Sequence, residues 1–250
     1  MKITILGCGG SFGSPLAWNR HGNIDVNNKR NFRTRSSILI EYCGINILID
    51  TSPDLRQQLY NAKCTKIDVV LYTHIHSDHT AGLPDMRAMS LINSKIIPAY
   101  MPKEMILEME TTYRYIFKGE KDYLPFMEIK EIESNINFQN INIETFQHNH
   151  GSIDAQTYKI GNFAYSTDIK KFYNQDIDKL KNLDLWIVGL LRDESHPSHA
   201  GFNQIMEFIS YIKPKKTIFT HMTALLDEEQ LIKKCPSNIR PGYDGMIINL

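Results

Sequence analysis

With 250 residues and 28 Lys+Arg balanced against 28 Asp+Glu, the chain is long enough to bury a sizeable core, and its even charge excludes a basic nucleic-acid-binding face spread over the whole surface. A hydrophobic share of 42% with no apolar run near ~18 residues describes an ordinary globular chain and excludes a membrane-spanning helix. The four cysteines, Cys8, Cys43, Cys64 and Cys235, form no C-x-x-C pair. That argues against a cysteine zinc site and fits free thiols in a reducing cytoplasm.

The chain opens on Lys2–Leu6, a short apolar run that reads as a strand and is too short for a signal peptide. Ser37–Glu41 and Ile45–Ile49 follow as a hairpin about Cys43-Gly44. Ser52 and Pro53 predict a helix over Pro53–Tyr60, as a capping residue and a proline at the first position do. Val69–Tyr72 is a buried strand, and Met101–Tyr115 carries a helical spacing of apolar residues with Pro102 at its start. Phe117–Asn142 is polar and has no clear periodicity. Beyond it, Phe163–Tyr165, Leu185–Leu190, Thr217–Phe219 and Met246–Ile248 predict strands, and Gly201–Ile212 an amphipathic helix ended before Pro214. Interleaved strands and helices without a repeat or a linker predict one α/β domain over 1–250.

The chemistry concentrates in His74-Ile75-His76-Ser77-Asp78-His79. Neutral imidazoles mixed with a carboxylate suit Zn, Mn or Fe, and two pairs of ligands so close in sequence can feed two neighbouring ions. A close pair of divalent ions is a device for hydrolysis. Other polar residues stand after apolar runs: Asp50, Asp168, His196 and His199, and His221. In α/β sheets the carboxyl ends of strands are where a site is assembled. Asp50 reads as a turn former or as a residue behind the ligands. His148-Asn149-His150-Gly151 is ambiguous, and an extended segment is expected to turn its two histidines to opposite sides, one towards a site.

The series His74-x-His76-x-Asp78-His79, His150, Asp168, His221 resembles the metallo-β-lactamase superfamily. The closer resemblance is to its phosphoribosyl cyclic phosphate phosphodiesterases, carried by Leu6-Gly7-Cys8-Gly9-Gly10-Ser11-x-Gly13-x-Pro15, Arg33-x-Arg35-Ser36-Ser37, Asp54-Leu55-Arg56, His196-Pro197-Ser198-His199 and Tyr243-Asp244-Gly245-Met246. The resemblance implies a four-layer αβ/βα sandwich of two mixed sheets flanked by helices. It implies two divalent metal ions, Zn or Mn. His74, His76 and His150 would hold one, Asp78, His79 and His221 the other, with Asp168 between them. His199 would be catalytic, with His196 as its neighbour and Asp78 serving both catalysis and metal binding.

The resemblance also implies a small phosphodiester substrate, cyclic or nucleotide-like. A transfer-RNA-processing endonuclease is the alternative, disfavoured because no Gly-rich basic insertion is present to grip RNA. A further alternative is a non-hydrolytic relative of the accessory proteins of quinone-cofactor synthesis. No membrane partner is expected, and a homodimer is compatible with the sequence. One departure stands out: the phosphonate-pathway enzymes hold a separate structural zinc on cysteines of the N-terminal loop and on a residue after the last site histidine. Here Trp18–Asn27 has no cysteine and the distal position is Ala224, so that second site is expected to be absent.

Overall fold

A computed structural model describes residues 1–17, 21–133, 135–173 and 176–250. Their contacts divide into two compact units, Met1–Leu6 with Ser36–Glu133 and Gly245–Leu250, and Gly7–Arg35 with Ser134–Asp244. Each unit is built on one mixed sheet.

In the first unit β1 (Lys2–Gly7) is followed by the hairpin of β2 (Ser37–Tyr42) and β3 (Ile45–Ile49). Cys43 and Gly44 turn it with φ of 51° and 78°. Two successive left-handed residues are what a two-residue hairpin requires, because that turn matches the twist of its strands. α1 (Leu55–Asn61) leads to β4 (Val69–Leu71) and the single turn α2 (Ser77–Thr80). Then come α3 (Met86–Asn93), β5 (Ile97–Met101), α4 (Lys103–Thr112), α5 (Arg114–Phe117) and β6 (Met127–Glu131). The sheet runs from the C-terminal strand Ile247–Asn249 through β1, β2, β3, β4 and β5 to β6. Its last four strands are parallel. The helices bury Leu55, Leu59, Met86, Met105 and Met109 in one apolar cluster with Leu48, Val70 and Ala99 of the sheet.

The helix expected over Met101–Tyr115 is shorter. Met101 ends a strand, because a residue before proline is pushed away from helical angles. Tyr113, at φ −116° and ψ 36°, separates α4 from α5.

The second unit begins with the loop before β2. Asn31 donates to Asp227 Oδ2 at 2.7 Å, and the buried Arg33 donates to the Leu226 carbonyl at 2.8 Å and to Asn31 Oδ1 at 2.9 Å. Asn23 N–H donates to the Ala224 carbonyl at 2.8 Å. Of the loop in which no structural zinc was expected, Trp18, Asn19 and Arg20 lie outside the described residues.

The sheet of this unit holds β7 (Ile136–Phe138), β8 (Ile141–His150), β9 (Ile153–Ile160), β10 (Phe163–Ser166), β11 (Lys171–Phe172), β12 (Leu185–Gly189), β13 (Lys216–Thr220) and β14 (Ile239–Pro241). Strands β8, β9 and β10 are antiparallel neighbours, and β10, β12, β13 and β14 run parallel. A helix over Phe202–Ile212 buries Phe202, Ile205, Ile209 and Ile212 at helical spacing. Tyr158, Phe163, Tyr165, Trp186 and Phe219 fill the core. Among the described residues no helix is long and apolar enough to cross a membrane.

Candidate metal centre

In the first unit the parallel neighbours β3 and β4 end side by side, and Asp50 N–H donates to the Leu71 carbonyl at 2.9 Å. This edge places Asp50 against the residues that follow β4. Asp50 is fully buried and sits at φ 62°, a conformation few non-glycine residues adopt. Its carboxylate accepts from Thr73 N–H and from Thr73 Oγ1, each at 2.8 Å, and from His79 Nδ1 at 2.7 Å. Burial pushes the Asp50 carboxyl upward in pKa, and the His79 ring and the Thr73 donors oppose that shift.

The consequence reaches two imidazoles. His79 Nδ1–H donates to Asp50, so in the neutral ring Nε2 carries the lone pair. Thr73 spends its hydroxyl proton on Asp50 and accepts from His74 Nδ1 at 3.0 Å. His74 Nε2 is thereby also left as a lone-pair donor, and it faces His76 Nδ1 at 3.0 Å. Back-bonding of this kind fixes tautomer and ring plane in metal-binding histidines. Asp78 Oδ2 lies 3.4 Å from His79 Nε2. His74, Asp78 and His79 are buried and His76 is exposed, so the cluster opens to solvent on the His76 side.

In the second unit the parallel ends of β10, β12 and β13 lead directly to Asp168, to the loop carrying His196 and His199, and to His221. Asp168 and His221 have φ of 54° and 57°, so both polar residues are delivered in left-handed conformation. Such outliers persist only where the surroundings enforce them, and they concentrate at functional sites. Gly189 permits this: a Cβ there would lie 2.9 Å from Asp168 N. One oxygen, Asp168 Oδ1, faces His199 Nε2 at 3.0 Å, His221 Nε2 at 3.3 Å and His150 Nε2 at 3.7 Å. Its other oxygen accepts from Thr167 Oγ1 at 2.6 Å. His150 Nδ1 donates to the Ser198 carbonyl at 3.0 Å, which makes Nε2 the lone-pair atom of the neutral ring. The ligand atoms of His150, Asp168 and His199 lie within 4.8 Å of one another.

The two histidines of β8 do not turn apart. Residues two positions apart on a strand share a face, and His148 and His150 are both buried with half-exposed Asn149 between them. What separates them is depth along the strand. His148 donates through Nε2 to the Thr167 carbonyl at 2.8 Å and contacts Thr157 Oγ1 through Nδ1 at 2.9 Å. Burial depresses its pKa to about 4, so it stays neutral. His148 therefore braces the strand end that presents Asp168, and His150 stands at the cluster.

Both clusters pass a chemical test for divalent ions. Each offers imidazole nitrogens and a carboxylate, buried, with the far ring nitrogens of His79, His74 and His150 occupied by protein acceptors. Sequence reasoning left Asp50 undecided and did not single out Thr73 or Ser198. Thr73 is an uncharged residue whose part depends on a contact across two strands, and no sequence spacing reports such a contact.

The beta-lactamase superfamily domain model matches residues 45–222. The octanoyltransferase of Porphyromonas gingivalis W83 is 32% identical over 98% of this chain and 51% of its own length. The ribonuclease Z of Clostridium kluyveri is 27% identical over 73% of this chain and 53% of its own length. The chain thus spans about half the length of these curated relatives. Among solved structures, a diphosphatase described as new in the PhnP family superposes with a TM-score of 0.90 at 28% identity, covering 99% of this chain and 96% of that one. Zinc-bound PqqB from Methylobacterium extorquens shares the fold, with a TM-score of 0.81 at 17% identity and full coverage of both chains. Two mixed sheets flanked by helices, the family match and the full-length superposition agree: the chain belongs to the metallo-β-lactamase superfamily, in its PhnP-like branch.

Proposed function

We propose that this chain is a metal-dependent phosphodiesterase, a single hydrolase domain over 1–250 acting on a small cyclic or nucleotide-like phosphate ester. The observation that carries this reading is the pair of back-bonded imidazole and carboxylate clusters. The ligand set suits Zn or Mn: His74, His76 and His150 would hold one ion and Asp78, His79 and His221 the other, with Asp168 available to both. When bound, such a pair supplies an activated water and stabilises charge on phosphoryl oxygens.

The chain's own residues do the rest. Asp50 and Thr73 hold His79 and His74 in the ligating tautomer. Ser198 does the same for His150 through its carbonyl. His199 presents Nε2 beside Asp168, where it can donate a hydrogen bond to a phosphoryl oxygen or a proton to the departing alkoxide. His196 backs it, its pKa lowered by desolvation and by the nearby charges of His199, Arg192 and Lys170. Two of the relatives support phosphorus chemistry, one named a diphosphatase and another a ribonuclease, whereas the octanoyltransferase is named for acyl transfer. The ribonuclease match makes RNA the second substrate to test.

The test is turnover by metal-stripped protein, reloaded with Zn or Mn, on a panel of cyclic nucleotides, linear phosphodiesters and a precursor transfer RNA. Turnover of small diesters is expected. Turnover of the RNA alone would replace this reading with the endonuclease one.

A further inference from the structure

We propose that Ser198 is a positioning residue that couples the ligand histidine His150 to the acid His199. This rests on the reading above, and it assigns a task to a residue the ligand series does not contain.

Three separate groups of Ser198 make four contacts with three histidine rings. Its carbonyl accepts from His150 Nδ1 at 3.0 Å. Its hydroxyl lies 2.9 Å from His199 Nδ1 and 2.8 Å from His196 Nδ1. Its N–H donates to His196 Nδ1 at 3.3 Å. The His196–His199 turn is closed by reciprocal backbone bonds of 3.0 and 3.3 Å, and Ala200 N–H ties it to the Ile169 carbonyl at 2.7 Å. The serine is thus held from several sides, and two of the rings it touches, His150 and His199, face Asp168.

Gly151 makes the arrangement sterically possible. A Cβ on Gly151 would lie 2.7 Å from Ser198 Cβ and 3.0 Å from its Cα, and the residue sits at φ 77°. A side chain there would be strained by its backbone and would push the serine off His150. The glycine after His150 therefore serves the loop facing it as well as its own turn.

The groups separate experimentally because the carbonyl and N–H are main chain and the hydroxyl is side chain. Ser198→Ala keeps the carbonyl that orients His150 and removes the hydroxyl that orients His199. It is expected to bind Zn with wild-type affinity, to lower kcat about 10- to 100-fold and to leave KM unchanged. The 15N resonances of the His199 ring should move in the same variant. His196→Ala on top of Ser198→Ala should add little, because His196 acts through the serine. Gly151→Ala should instead weaken Zn binding, measured by competition with a chromophoric chelator.

Three results would each overturn the proposal: a Ser198→Ala protein that turns over at the wild-type rate, one that loses Zn affinity as Gly151→Ala does, or one whose His199 resonances stay in place. If the wild type hydrolyses no phosphodiester, the functional reading fails. The affinity contrast and the His199 resonances still decide the role of Ser198.

Discussion

Asp50→Asn tests how the first cluster is held. The carboxylate accepts three hydrogen bonds, from Thr73 N–H, Thr73 Oγ1 and His79 Nδ1. An amide offers one acceptor oxygen and adds two N–H donors. If its oxygen stays on Thr73 N–H, its NH2 faces His79 and forces Nδ1 to accept. The ring proton then moves to Nε2, the atom that must be bare to bind a metal. If the amide flips, its NH2 meets Thr73 N–H, donor against donor. Either orientation leaves a conflict among buried groups, which costs about 1–3 kcal/mol of stability in the metal-free protein. Partners that orient metal-binding histidines are worth about 10- to 100-fold in affinity. The Thr73 hydroxyl also loses its reason to point at residue 50, so His74 is loosened together with His79. Urea unfolding of stripped protein and Zn competition measure the two effects on one preparation. A variant as stable as wild type that binds Zn equally well would refute the reasoning.

His199→Ala should retain metal and lose about 10²- to 10⁴-fold in turnover, whereas Asp168→Ala should lose metal itself; metal content and kinetics on the same samples separate the two outcomes. The neutral, buried His148 makes the stripped protein acid-sensitive. Its folded pKa is depressed to about 4, so the unfolded chain takes the proton first, and stability falls as pH drops from about 6.5 towards 4, by about 3 kcal/mol in all. His148→Gln should flatten that part of the stability–pH curve, and an unchanged slope would show that His148 is not its source. Chelation should abolish hydrolysis and lower the unfolding midpoint, with Zn or Mn restoring both; a midpoint indifferent to chelator would contradict metal binding by the folded chain.

The fold was most legible where backbone rules act locally. Cys43-Gly44 between two β-branched runs announced its hairpin, and the apolar runs before Asp50, His74, Asp168 and His221 are strands whose carboxyl ends bring those residues forward. The polar stretch after Phe117 hid β6, β7 and the start of β8. The turn between β7 and β8 is made by Gln139 and Asn140 at φ of 46° and 69°, and without a glycine it gives no sequence signal. The short helix α3 has Asp85 at its N-cap, but at helical angles and without a side-chain cap hydrogen bond.

The site was legible in residue types and order but not in its supports. His148 and His150 share a strand face, so alternation does not distinguish them; burial against Thr167 and contact with Ser198 do. Asp50 and Ser198 matter through contacts across 23 to 48 residues of sequence. Such pairings follow from which strands lie parallel, a property of the folded sheet rather than of any local pattern.

The central claim is a dinuclear hydrolytic centre, and stoichiometric metal titration tests it most directly. Stripped protein receives Zn in fractions of an equivalent while hydrolysis of a chromogenic phosphodiester is followed. Turnover that rises to a plateau at two equivalents is predicted. A plateau at one equivalent, or turnover indifferent to added metal, would contradict the account.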